Sequence, residues 1–166
     1  MFEKLDFLVR FWQLKARHAT CSSHPAHRTG DPLSLSEQRE LLGLLQLVTT
    51  DLPIPRPGKL ARTGGSMPAQ VIGDGAIRPV EIRAVMAGSL LVTSLTGFDV
   101  GASLILRAAD AVLGVEYSIP CKVQWSYSGA PHSMALVIDG VPTRSDFEGA
   151  RPTSTLLSQR HERLVG

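Results

Sequence analysis

AIRPVEIRAVMAGSLLVTS, residues 76–94, reads as two strands meeting at a glycine corner. Val80, Ile82 and Ala84 alternate with Glu81, Arg83 and Val85, the period of two that a strand with one buried face requires. SLLVTS, residues 89–94, continues as a second, more apolar strand. The segment also carries an oddity. Two charged residues, Glu81 and Arg83, sit just before Gly88, where a strand turns back.

The same pattern extends outward on both sides. PAQVI, residues 68–72, leads into Gly73-Asp74-Gly75, which predicts a tight hairpin because its glycines tolerate positive φ. Downstream, ASLILRA (102–108), YSIPCKVQWSY (117–127) and HSMALVIDGV (132–141) read as further strands. Gly97, Gly101, Gly114, Gly129 and Pro131 separate most of them. Six short strands between residues 67 and 145, with no helical period among them, predict an antiparallel barrel or sandwich.

Residues 1–50 follow a different period. Phe2, Leu5, Val9, Trp12 and Ala16 recur at three- and four-residue steps, with Phe7, Leu8, Phe11 and Leu14 as a second apolar flank. Residues 19–32 are expected to break this helix. A second helix starts at a capping box of Ser34 and Glu37. Leu41, Leu44, Leu45 and Val48 are its expected buried stripe, widened by Leu42 and Leu47. The two would form an antiparallel hairpin. Residues 51–66, with Pro53, Pro55 and Pro57, read as an extended linker. Residues 146–166 form a polar tail with a short helix expected at 153–164. The expected fold class is α+β: a helical hairpin, a six-stranded antiparallel barrel and a short C-terminal helix or tail.

Bulk properties narrow the function. A net charge of +2 gives no argument for nucleic acid. No stretch reaches the roughly 18 apolar residues that a membrane span needs. Two cysteines do not make a disulfide framework, and MFEKLDFLVRFW lacks the apolar core of a secretion signal. The expected location is cytoplasmic.

The order of three motifs resembles the PilZ domain, a small six-stranded barrel of bacterial signalling proteins. RAVMAGSLLV, residues 83–92, matches the frame of its Asp/Asn-x-Ser-x-x-Gly motif. FDVGASLILR, residues 98–107, resembles its apolar–Gly–strand element. CKVQW, residues 121–125, resembles its Val-x-Trp strand, with SMALVIDGVP in place of the closing strand. The resemblance covers about half the chain and implies a regulatory role in motility, pilus function or cell polarity.

Family members that bind cyclic di-GMP use an Arg-x-x-x-Arg pair before the barrel, because guanidinium groups pair bidentately with phosphates and stack on guanine. Here Arg56 and Arg62 stand six apart. At the motif itself the frame gives Arg83 and Val85, and only Gly88 is kept. Arginine accepts no hydrogen bond and valine offers none. The expectation is therefore a retained fold without the ligand: no cofactor, no enzymatic activity and a protein partner in place of the nucleotide. The alternative is a cyclic di-GMP receptor that uses Arg56, Arg62, Arg83 and Gly88.

Two surfaces are candidates for that partner. The first helix, through Val9 and Trp12, is expected either to pack within the chain or to form a homodimer. Trp125 and Tyr127, in phase on one strand, form an aromatic face that would be barrel core or a binding surface. His18, Cys21, His24 and His27 are metal-capable side chains three apart, but read better as a polar helix end and loop. No hydrolase, P-loop or metalloprotease motif is present, and no metal site is expected.

Overall fold

The computed structural model describes residues 2–22, 32–49, 65–86 and 88–146. Most of the expected linker, with Arg56 and Arg62, lies outside them, as do His24, His27 and the tail beyond Asp146. The elements are α1 (Phe2–Ser22), α2 (Leu35–Thr49), β1 (Met67–Gly73), β2 (Ala76–Val85), β3 (Ser89–Ser94), β4 (Ser103–Asp110), β5 (Val115–Tyr127), β6 (His132–Ile138) and β7 (Thr143–Asp146).

The strands run in the order β4-β1-β2-β3-β6-β5, and β4 pairs with β5 to close a six-stranded antiparallel barrel. β7 is an added strand outside the ring, paired with residues 115–118 of β5. The α+β fold class is as the sequence predicts. The added β7 carries no apolar alternation, since all four of its residues are exposed.

Alternation fills the barrel. Val71, Ile82, Leu90, Val92, Leu106, Tyr117, Ile119, Met134 and Leu136 are fully or nearly fully buried inside it. α1 supplies the stopper. Leu5, Leu8 and Val9 join this same cluster, with Phe2 and Trp12 packed against it. Val9 is only 3% exposed, so it faces the barrel and not a second chain. α1 also continues through Ala19 to Ser22, past the expected break, because no proline or glycine interrupts it there.

α2 packs on the opposite flank of α1 through Phe11, Leu14, Leu33 and Leu41. The capping box forms as expected. Glu37 N–H donates to Ser34 Oγ at 3.2 Å, and Ser34 N–H donates to Glu37 Oε2 at 3.0 Å. Donation to the Glu37 carboxyl from the Ser34 N–H, then from the Ser34 hydroxyl and Arg17, holds it below its ordinary pKa. Arg10 grips Glu40 through Nε and Nη2, at 2.8 and 2.6 Å. Leu42 and Leu45 are corrections: at 62% and 39% exposure, neither belongs to the buried stripe.

Local chemistry sets where the strand ladders stop. Asp74 (φ 49°) and Gly75 (φ 73°) form the two-residue β1–β2 turn. Gly73 and Ala76 flank it as the narrow, hydrogen-bonded pair. Counting back by twos, Ile72, Gln70 and Pro68 turn their backbone groups away from β2, toward β4. Ile72 and Gln70 pair there with Ile105 and Arg107. Pro68 has no N–H to give, and the β1–β4 ladder ends before it. By the same count Pro79 faces β3, and that ladder begins only at Glu81–Thr93.

Candidate functional site

The early end of the β1–β4 ladder opens a groove of about 700 Å³ at the mouth of the barrel. Its walls are Ser66 and the start of β1 (Pro68), the end of β4 (Ala109, Asp110) and the end of β2, with Phe2 and Lys4 from α1 also lining it. A second groove, of about 400 Å³, lies on the outer wall between Pro79, Leu95 and Pro131. Arg83 borders both.

Arg83 is where the motif frame and the fold meet. The pairing between β2 and β3 slips by one residue between Ile82 and Ala84, so Arg83 is the extra residue of a β-bulge. Its Nε donates to Thr93 Oγ1 at 3.2 Å, and its Nη2 lies 2.9 Å from Glu81 Oε2. The guanidinium is thus held along the outer wall by two neighbours on the sheet. Val85, the next position of the frame, points the other way. It is 9% exposed, belongs to the core, and gives the groove only methyl surface. Gly88 forms the β2–β3 corner, where its carbonyl accepts from Ile138 N–H at 3.1 Å. The groove brings Arg83 and Val85 together but not Gly88.

The aromatic face is split by a second bulge. β5 slips against β6 between Val123 and Trp125. Val123 pairs with the inward Leu136, whereas Trp125 pairs with Ala135 and Tyr127 with Ser133, both on the outer face. Tyr117 stays inside at 0% exposure, while Tyr127 is 52% exposed. A row of Ala84, Leu91, Ala135 and Trp125 therefore crosses the outer wall in register. Leu91 and Ala135 are buried there without belonging to the barrel interior. Trp12, the other aromatic of the expected surface, is partly buried between the two cores with Lys15 Nζ 4.2 Å above its ring.

Other reactive groups are tied down. Burial pushes the Cys121 thiol up to about 12, which removes it as a nucleophile at neutral pH. Ser126 Oγ lies 3.0 Å from His132 Nε2, and that ring sits against Gly97, where a Cβ would come within 2.1 Å of it. The contact packs the end of β5 against the β3–β4 loop. Among the described residues no group of three metal-ligating side chains converges. No helix there is long and apolar enough to cross a membrane.

The groove was partly legible in the sequence, through Arg83 and Val85. Its other wall, Ala109 and Asp110, carried no signal of its own, because Ala-Ala-Asp in a strand is unremarkable until Pro68 ends the ladder opposite. No protein-family model matches the chain, and no curated protein matches it in sequence.

Proposed function

We propose that the chain is a non-enzymatic regulatory or adaptor protein of the PilZ-like type, engaging a protein partner at the barrel mouth in place of cyclic di-GMP. It would act in the bacterial cytoplasm, in a process such as motility, pilus function or cell polarity. The observation that carries this reading is the pair Arg83 and Val85. A guanine-binding frame needs an acceptor and a hydroxyl at these positions. This chain has a cation already bonded to Thr93 and Glu81, and a core valine.

The competing reading, a cyclic di-GMP receptor, draws on one fact: Arg83 borders the groove and its side chain is 40% exposed. Its ion pair with Glu81 is of the surface kind, worth about 0–1 kcal/mol, so a phosphate could take it over. Calorimetric titration with cyclic di-GMP, at low and at physiological salt, separates the two. The adaptor reading expects no heat and no thermal stabilisation at millimolar nucleotide. Micromolar binding that weakens in Arg83→Ala would overturn it.

A further inference from the structure

β7 hangs from the ring by one edge of one strand. Ile105 and Arg107 of β4 turn their backbone groups toward β1, so Leu106 and Ala108 turn theirs toward β5, where Ile119 and Tyr117 receive them. Glu116 and Ser118 of β5 therefore face the other way, and there they pair with Ser145 and Thr143. Asp139 N–H, which donates to Pro120 O at 3.0 Å on the β6 side, has the same phase.

Pro120 separates β7 from β6. The β5–β6 ladder ends at Cys121–Ile138, and the β5–β7 ladder begins at Ser118–Thr143. Between them Pro120 accepts one bond and has no N–H to return. Residues 139–142 loop out past residues 119–120 of β5, with Gly140 at φ 143° in the turn. β7 is thus not zipped to the ring strand that precedes it.

Side chains add little to its hold. All four residues of β7 are exposed. Pro142, just before it, is buried, and its carbonyl accepts from Gln13 Nε2 at 3.3 Å, which pins that end to α1. Beyond that point Arg144 Nε lies 3.5 Å from Asp6 Oδ1, in a pair whose side chains are 47% and 48% exposed. Such surface pairs are weak. A segment with exposed hydrogen bonds and no buried apolar anchor opens at a lower free energy than the core beside it.

We infer that β7 is a releasable strap: it swings off β5 about Pro142 while the six-stranded ring stays closed, and the Arg144–Asp6 pair is its latch on α1. Release bares the N–H and C=O of Glu116 and Ser118. It also takes the cation from Asp6, on the helix whose Phe2 and Lys4 line the groove. The inference does not depend on the adaptor reading.

Native-state amide hydrogen exchange on the full chain, followed residue by residue by NMR, tests it. The amides of Thr143, Ser145, Glu116 and Ser118 should exchange as one group, with protection roughly a hundredfold or more below that of Tyr117 and Ile119. β5 would then alternate between weakly and strongly protected amides. Low concentrations of urea should erode the protection of Tyr117 and Ile119 more steeply, because their exchange exposes more surface. Arg144→Gln should lower the protection of the strap group about two- to fivefold and leave Tyr117 and Ile119 unchanged.

Equal protection along β5 would mean that β7 opens only with the ring, and overturns the strap. A weakly protected group that Arg144→Gln does not move overturns the latch.

Discussion

The phenolic hydroxyl of Tyr117 donates to Asp6 Oδ1 at 2.8 Å, joining residues 111 positions apart in the chain. The Tyr117 ring is fully buried and stacks on Phe2 with centroids 6.1 Å apart. Asp6 Oδ1 also lies 3.5 Å from Arg144 Nε. One carboxylate thus links α1, the barrel wall and β7. Burial first, and then the bond to Asp6, push the Tyr117 hydroxyl up to about 12 from its ordinary 10.

That shift makes a pH prediction with a definite sign. The folded pKa is raised, so the stabilisation is fully present below the unfolded value near 10 and is lost as pH rises toward 12. Urea titrations should show wild type losing on the order of 2 kcal/mol more than Tyr117→Phe across that window. At neutral pH Tyr117→Phe itself should cost about 1–2 kcal/mol, one half-buried hydrogen bond to a carboxylate. Parallel pH profiles for the two proteins would show that the Asp6 bond is not formed in solution.

Val9→Glu tests the docking of α1. A carboxylate at a position 3% exposed must be buried unpaired, which costs several kcal/mol. The expected outcome is a melting temperature lowered by many degrees, not a folded monomer derived from a dimer. Leu42→Glu is the control: at 62% exposure it should change stability by about 0.5 kcal/mol or less. A folded Val9→Glu protein of reduced mass in solution would instead place this face of α1 between two chains.

Ser34→Ala should remove the cap of α2 and cost about 1 kcal/mol, since the N–H of Glu37 loses its acceptor. Glu37 and Glu40 both have lowered pKa values, Glu37 chiefly from Ser34 and Glu40 chiefly from Arg10. Their contribution is present above the ordinary carboxylate range and is lost as pH falls through it. Far-UV circular dichroism from pH 6 to about 3 should show α2 weakening first in Ser34→Ala. Coincident acid transitions in the two proteins would mean that the box adds nothing.

The barrel was legible because its signals are local. Alternation in β2, β4 and β5 and the Asp74-Gly75 turn each fix a short piece, and the pieces agree. What escaped the sequence depends on single-residue slips. The bulges at Arg83 and between Val123 and Trp125 each turn a following residue to the opposite face, Ala84 in one case and Trp125 in the other. Nothing in RAV or VQW marks the extra residue. Leu42 was misplaced for a related reason. α2 has leucines around most of its circumference, and Leu41, packed with Phe11 and Leu14, sets which side meets α1, with the ion pairs Arg10–Glu40 and Arg17–Glu37 along the same contact. β7 was invisible because it is held by Tyr117's strand and Gln13, whose Nε2 donates to Pro142 O at 3.3 Å, and not by apolar residues of its own.

Pro68 offers the sharpest test of why the groove exists. If the missing N–H is what ends the β1–β4 ladder, Pro68→Val restores a donor opposite Ala109 and lets the strands zip further. The lost rigidity of the unfolded chain opposes this by about 0.4–1 kcal/mol, so net stability should move little. Amide hydrogen exchange is the decisive measurement, because it reads the bond directly. The amide of Ala109 should exchange freely in the wild type and become protected in Pro68→Val, with the protection of Arg107 unchanged. An Ala109 amide that still exchanges freely in the folded variant would move the cause of the splay from Pro68 to Phe2, which lines the same groove.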